Sequence, residues 1–164
     1  MKEKLYKSVT TFFGLGYISP FPGTLTSFLT VVIIWSTQKY FGFLITLSCI
    51  IFVSLIAYIS IENDVNKKSD PKEIVIDEFI GQSIVLIFLP LTLQNYILGF
   101  VFFRIFDIYK PMPINYFEKK YPNAFGIIFD DIIAAGYALL AIYIINWVSI
   151  LLNSIDLNCI YTSW

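Results

Sequence analysis

Histidine is absent from this 164-residue chain. That absence removes Ser-His-Asp triads, histidine general bases and imidazole metal ligands together. Cysteine is nearly as scarce. Cys49 and Cys159 stand far apart with no C-x-x-C spacing, so zinc and dithiol chemistry have no anchor. Charge is thin too: Asp, Glu, Lys and Arg make up 14% of residues, where a soluble domain carries about 25%. A net charge of −1 and scattered lysines leave no basic groove for nucleic acid. Repeats, low-complexity linkers and domain boundaries are lacking as well.

What fills the chain instead is apolar. Hydrophobic residues reach 57% and the mean hydropathy is +0.74, the composition of an integral membrane protein. The expected fold is all-α: a membrane-embedded helical bundle of about four to five apolar helices, some short or re-entrant, forming one domain over residues 1–164. Apolar segments fall at about 25–37, 41–61, 79–93, 96–106 and 132–152; a full crossing needs roughly 20 residues. Residues 12–24, FFGLGYISPFPGT, are too rich in Gly and Pro for a regular helix and read as a loop or re-entrant segment, unlike a signal-peptide core. The aromatics (16 Phe, 11 Tyr, 3 Trp) suit lipid-facing and interfacial positions.

If all five segments cross, Lys2, Lys4, Lys7, Lys67, Lys68, Lys72, Lys110, Lys119 and Lys120 share one face, with Arg104 at its edge and Lys39 opposite. The positive-inside rule makes that face cytoplasmic. Five of the 12 acids collect at segment ends on the same face: Asp77, Glu78, Asp107, Asp130 and Asp131. Carboxylates gathered at one depth repel each other unless cations sit among them, and hard oxygen ligands suit Mg²⁺. Arg104, Asp107 and Lys110, spaced i, i+3, i+6, present cation, anion, cation on one helical face. Such a face forms a phosphate clamp beside a metal. Pro111 and Pro113 end that helix. Thr24 and Ser27, at the head of an apolar helix whose free N–H groups can bind an anion, are candidate substrate contacts.

Each feature has a simpler structural reading. Asp130 can cap the last helix with Asp131 favoured by its dipole. Asp77 and Glu78 can be solvated acids at a helix start, and Arg104–Asp107 an intrahelical ion pair. Thr24 or Ser27 can be an ordinary N-cap. Taken together, three acid sites at one membrane depth favour a functional centre.

SPFPGTLTS, IVIDEFIG, FRIFDIYKPMPI and GIIFDDIIAAGYA stand in the order and spacing of the phosphatidylglycerophosphatase A family, which the chain resembles from about Phe13 to Ala138. It departs from the family pattern around 123–126 and 134–136, without loss of a carboxylate, arginine or lysine. The resemblance implies a Mg²⁺-dependent lipid phosphatase of the bacterial inner membrane, multi-pass with its site facing the cytoplasm. Its substrate would be phosphatidylglycerophosphate, converted to phosphatidylglycerol and phosphate. Metal binding then falls to Asp77, Glu78, Asp130 and Asp131, and phosphate binding to Arg104 and Lys110. Asp107 becomes a further ligand or the base that positions water. Two alternatives are a CDP-alcohol phosphatidyltransferase-like enzyme, whose DxxDGxxAR pattern is absent, and a transporter, which would spread its acids through the membrane depth.

Overall fold

A computed structural model describes residues 2–18, 20–65, 73–114, 116, 120–121 and 123–161, with 65 and 153–161 described by backbone alone. Lys67, Lys68, Lys72 and Lys119 of the lysine-rich face lie outside the described residues. Described helices are α1 (Lys2–Thr10), α2 (Leu15–Ile18), α3 (Pro22–Val65), α4 (Ile76–Ile87), α5 (Leu93–Tyr109) and α6 (Ala124–Tyr161), and no strand occurs among the described residues. The all-α expectation holds. Among the described residues two helices are long and apolar enough to cross a membrane: α3 over Pro22–Asp64 and α6 over Ala124–Leu152. At 12 and 17 residues, α4 and α5 are shorter than the ~20 a perpendicular crossing needs.

The Gly/Pro-rich opening is more helical than its composition suggests. The chain turns through left-handed Phe12, Phe13 and Gly14, forms α2, and enters α3 at Pro22. The fixed φ of proline suits a first helical turn, where its missing N–H is no loss.

The two apolar segments expected at 25–37 and 41–61 are joined in α3, which folds back on itself at Gly42 (φ 77°, ψ 178°). A β-carbon at Gly23 would sit 2.1 Å from Glu78 Oε1, so the start of α3 lies against the start of α4. Near its other end, Asp64 accepts a 2.7 Å hydrogen bond from Thr10 Oγ1, and the Thr10 carbonyl accepts from Val75 N–H at 2.9 Å. A straight helix would hold residues 23 and 64 roughly 60 Å apart at 1.5 Å per residue, yet Gly23 meets the first turn of α4 and Asp64 is tied through Thr10 to Val75, the residue that precedes it. Reversal needs one residue outside helical φ/ψ, and glycine takes that left-handed φ without a β-carbon penalty.

Direction alternates through the rest of the bundle. Gln38, just before the α3 turn, donates to the Ile87 carbonyl at 3.2 Å and accepts from Tyr96 Oη. The first arm of α3 and α4 therefore run parallel from a common head. From that far end α5 returns, and α6 leaves again, its Tyr143 Oη donating to the Phe88 carbonyl at 2.7 Å. In lipid no hydrophobic drive pairs helices, so close packing must do so. Ala134, Ala135 and Ala138 give α6 a small-residue face that meets Val85 and Phe103 with no exposure. Almost all of α4 is buried among its neighbours. Its first turn, at the common head, is where the acids gather.

Candidate active site

Asp77 and Glu78 occupy the first turn of α4, where free N–H groups favour negative charge. Asp131 faces them from α6. Oxygens of these three carboxylates lie within 4.8 Å of one another. Asp77 Oδ1, Glu78 Oε2 and Asp131 Oδ2 are each buried with no hydrogen-bond partner among the protein atoms. A buried carboxylate without a counter-charge is costly, and three converging ones form the donor set a hard divalent cation takes. The residues fit such an ion. Burial, then the charge of Glu78, pushes the Asp77 carboxyl well above its ordinary range. Burial, then the charge of Asp131, pushes Glu78 up to about 8. Asp107 adds to the negative field at both.

Asp130 and Asp131 do not head the last helix. That helix begins at Ala124, and Asn123 takes the capping position, its Oδ1 accepting from Gly126 N–H at 3.0 Å. The pair therefore sits two turns inside α6, only 5% and 3% exposed. Their neighbours differ. Asp131 joins Asp77 and Glu78, whereas Asp130 Oδ2 accepts from Lys110 Nζ at 2.7 Å and lies outside the three-carboxylate group.

The cations come from the end of α5. Arg104 Nη1 donates to Asp107 Oδ2 at 2.5 Å, with both side chains largely buried, while Arg104 Nε has no partner. Lys110 closes α5 in a left-handed conformation (φ 43°, ψ 62°), a position usually given to glycine. Pro111 follows, and the backbone turn aims the Lys110 amine at Asp130. Five carboxylates against two cations leave an excess of three negative charges if all ionise, concentrated beside the phosphate-binding type of side chain.

Thr24 lines a groove next to Arg104. Ser27 is fully buried and its Oγ has no partner. Sequence reasoning passed over two further residues. Gly23 lets α3 approach the carboxylates: its notional β-carbon is also 3.3 Å from Arg104 Nη1. Gln82, one turn beyond Glu78 on the same α4 face, is fully buried with both amide ends unpartnered, as are the hydroxyls of Thr26 and Ser83. The i, i+4 spacing from Glu78 was the signal available for Gln82; for Gly23 it was the PGT run.

Comparison with known proteins settles the lineage. The family model for phosphatidylglycerophosphatase A matches residues 8–146, a span that includes the five acids and two cations of the site. A protein from Haemophilus influenzae named phosphatidylglycerophosphatase A is 38% identical over 145 residues, covering 82% of this chain and 85% of its own. The phosphatidylglycerophosphatase A of Escherichia coli is 33% identical over 140 residues, covering 82% and 79%. The chain belongs to the phosphatidylglycerophosphatase A family. Membership makes it an enzyme, a phosphatase. A third relative, from Bacteroides thetaiotaomicron, is 31% identical over 149 residues, covering 85% and 92%, and carries the provisional name phosphatidylinositol-3-phosphatase. No solved structure matches the chain.

Proposed function

We propose that the protein hydrolyses the terminal phosphate monoester of phosphatidylglycerophosphate, releasing phosphatidylglycerol and inorganic phosphate, in a Mg²⁺-dependent reaction at the cytoplasmic face of a bacterial inner membrane. The observation that carries this reading is the convergence of Asp77, Glu78 and Asp131 within 4.8 Å. Those three residues would hold the ion, which when bound supplies charge compensation for the transferring phosphoryl group. Arg104 and Lys110 hold phosphate oxygens, the guanidinium in a fixed fork and the ammonium as a point charge. Asp107 fixes the Arg104 fork, and Asp130 does the same for the Lys110 amine. The nucleophile is water or a site carboxylate, since the chain has no histidine; trapping an aspartyl-phosphate during turnover separates the two. A head group met at the end of apolar helices, with its acyl chains left in the bilayer, is the substrate class this arrangement serves. Names of the relatives point the same way.

The test is phosphate release by purified protein in detergent, with phosphatidylglycerophosphate and phosphatidylinositol 3-phosphate offered in parallel. Release from the first, abolished by a chelator and restored by Mg²⁺, is the expected result. Glu78→Gln and Asp131→Asn should lower it more than about 100-fold, beyond the 10–100-fold typical of a metal site's outer partners. Full activity in those variants, or release undiminished by chelation, overturns the metal assignment. Preference for the inositol lipid overturns the substrate.

A further inference from the structure

We propose that the groove along α5 binds an acyl chain of the lipid substrate and brings its phosphate to Arg104 from within the bilayer. This rests on the lipid-phosphatase reading above and extends it to the part of the substrate that is not hydrolysed. The groove has a volume of about 640 Å³ and is lined by Thr24 at the head of α3 and by one face of α5, from Phe100 and Val101 to Tyr109. Its size falls in the ~300–1,000 Å³ range of small-molecule sites.

Three observations point to a phospholipid rather than to general contact with the bilayer. First, the lining is apolar except for Thr24, the phenol of Tyr109 and a single charge, Arg104. An open apolar groove with one cation matches an acyl chain ending in a phosphate. Second, Arg104 belongs to both places. It lines the groove, lies next to Gly23 and Glu78, and holds Asp107, while its Nε remains buried without a partner. A phosphate in the groove at Arg104 is thus at the edge of the three-carboxylate centre. Third, the direction of α5 is right. That helix climbs toward the site, so Phe100 and Val101 lie one turn deeper than Arg104, on the side where lipid tails descend. Phe28 of α3 packs edge-on against Phe100 at 6.3 Å, so α3 borders the deep end of the groove. The outer side is open: Val101 and Ile105 are 43% and 49% exposed, so a lipid can slide in laterally without leaving the bilayer. Other exposed apolar stretches, such as Phe41–Ile45 at the α3 turn, lie at the opposite end of the bundle from the carboxylates.

Two measurements test this. In the first, Val101→Trp and Ile105→Trp fill the groove and leave every acid and cation of the site unsubstituted. With long-chain phosphatidylglycerophosphate the KM should rise about tenfold, the equivalent of losing contact with roughly two methylenes. With the dihexanoyl substrate, KM and kcat should stay within about twofold of wild type. Unchanged kinetics on both substrates, or an equal loss on both, overturns the groove assignment. In the second, wild-type protein is photolysed with phosphatidylglycerol carrying a diazirine in one acyl chain, and adducts are mapped by mass spectrometry. Adducts at Phe100, Val101 or Ile105 are expected; adducts confined to the second arm of α3 or the outer face of α6 overturn the proposal. This readout needs no turnover. If wild type releases no phosphate from any lipid, the phosphatase reading fails while the crosslinks still report on the groove.

Discussion

At Gly23 a single hydrogen atom decides whether a carboxylate keeps its place. A methyl group there would lie 2.1 Å from Glu78 Oε1, far inside contact distance, so Gly23→Ala must displace the Glu78 side chain. Helix propensity favours alanine by up to about 1 kcal/mol, so stability and activity should part company. We expect a melting temperature in detergent equal to or above wild type, with phosphate release reduced about 10–100-fold. A parallel fall in both would show that the contact is only structural. Lys110 permits a similar separation. Its left-handed backbone (φ 43°) costs a side-chain-bearing residue about 1 kcal/mol, and its amine pairs with Asp130. Lys110→Gly and Lys110→Met both remove the ion pair, but only glycine relieves the backbone. Both should be nearly inactive, with the glycine variant more stable than the methionine variant by about 1 kcal/mol on thermal unfolding.

On the scale of elements, the α3–α4 contact sets the depth of the site. The helices run parallel from a shared head, so the fully buried Thr26 and Ser27 lie roughly one turn below the acids, as Gln82 and Ser83 do on α4. Unpartnered buried amides and hydroxyls cost about 1–3 kcal/mol each, and a layer of them beneath a carboxylate centre is where bound water belongs. Gln82→Met keeps the length and removes both polar ends. Its melting temperature should match or exceed that of wild type, while phosphate release falls about 10–100-fold, as for outer partners of a metal site. Retained activity would show that the layer is dry packing. The element boundaries explain part of what the sequence hid. Runs of apolar residues located α3 to α6, but helix starts followed local capping: Asn123 captures Gly126 N–H and begins α6 well before the apolar run at 132–152. This places Asp130 and Asp131 two turns inside a helix, where composition put them at its head.

The whole molecule has two ends of different character. Lys7, Arg104 and Lys110 belong to the site end, and Lys39 lies beside the α3 turn at the opposite one. If the site faces the cytoplasm, an impermeant maleimide applied to intact cells should label Lys39→Cys and not Lys7→Cys, in a background lacking Cys49 and Cys159. The reverse labelling would invert the orientation.

Composition pointed to a membrane-embedded helical chain, because 57% apolar residues with 14% charge suit lipid better than water. Among the described residues the chain is all-helical, with two helices long and apolar enough to cross a membrane. The spacing of four short motifs identified the family, and the same residues named every acid and cation of the site. Tertiary structure decided how they divide. Helical spacing places side chains on a face but not opposite a particular partner on another helix. The partition of Asp131 to Asp77 and Glu78, and of Asp130 to Lys110, therefore came only with the packing of α4, α5 and α6. The reversal at Gly42 was likewise a tertiary fact, since a glycine between two apolar runs is compatible with a bend, a kink or a straight helix until both arms are seen to meet α4.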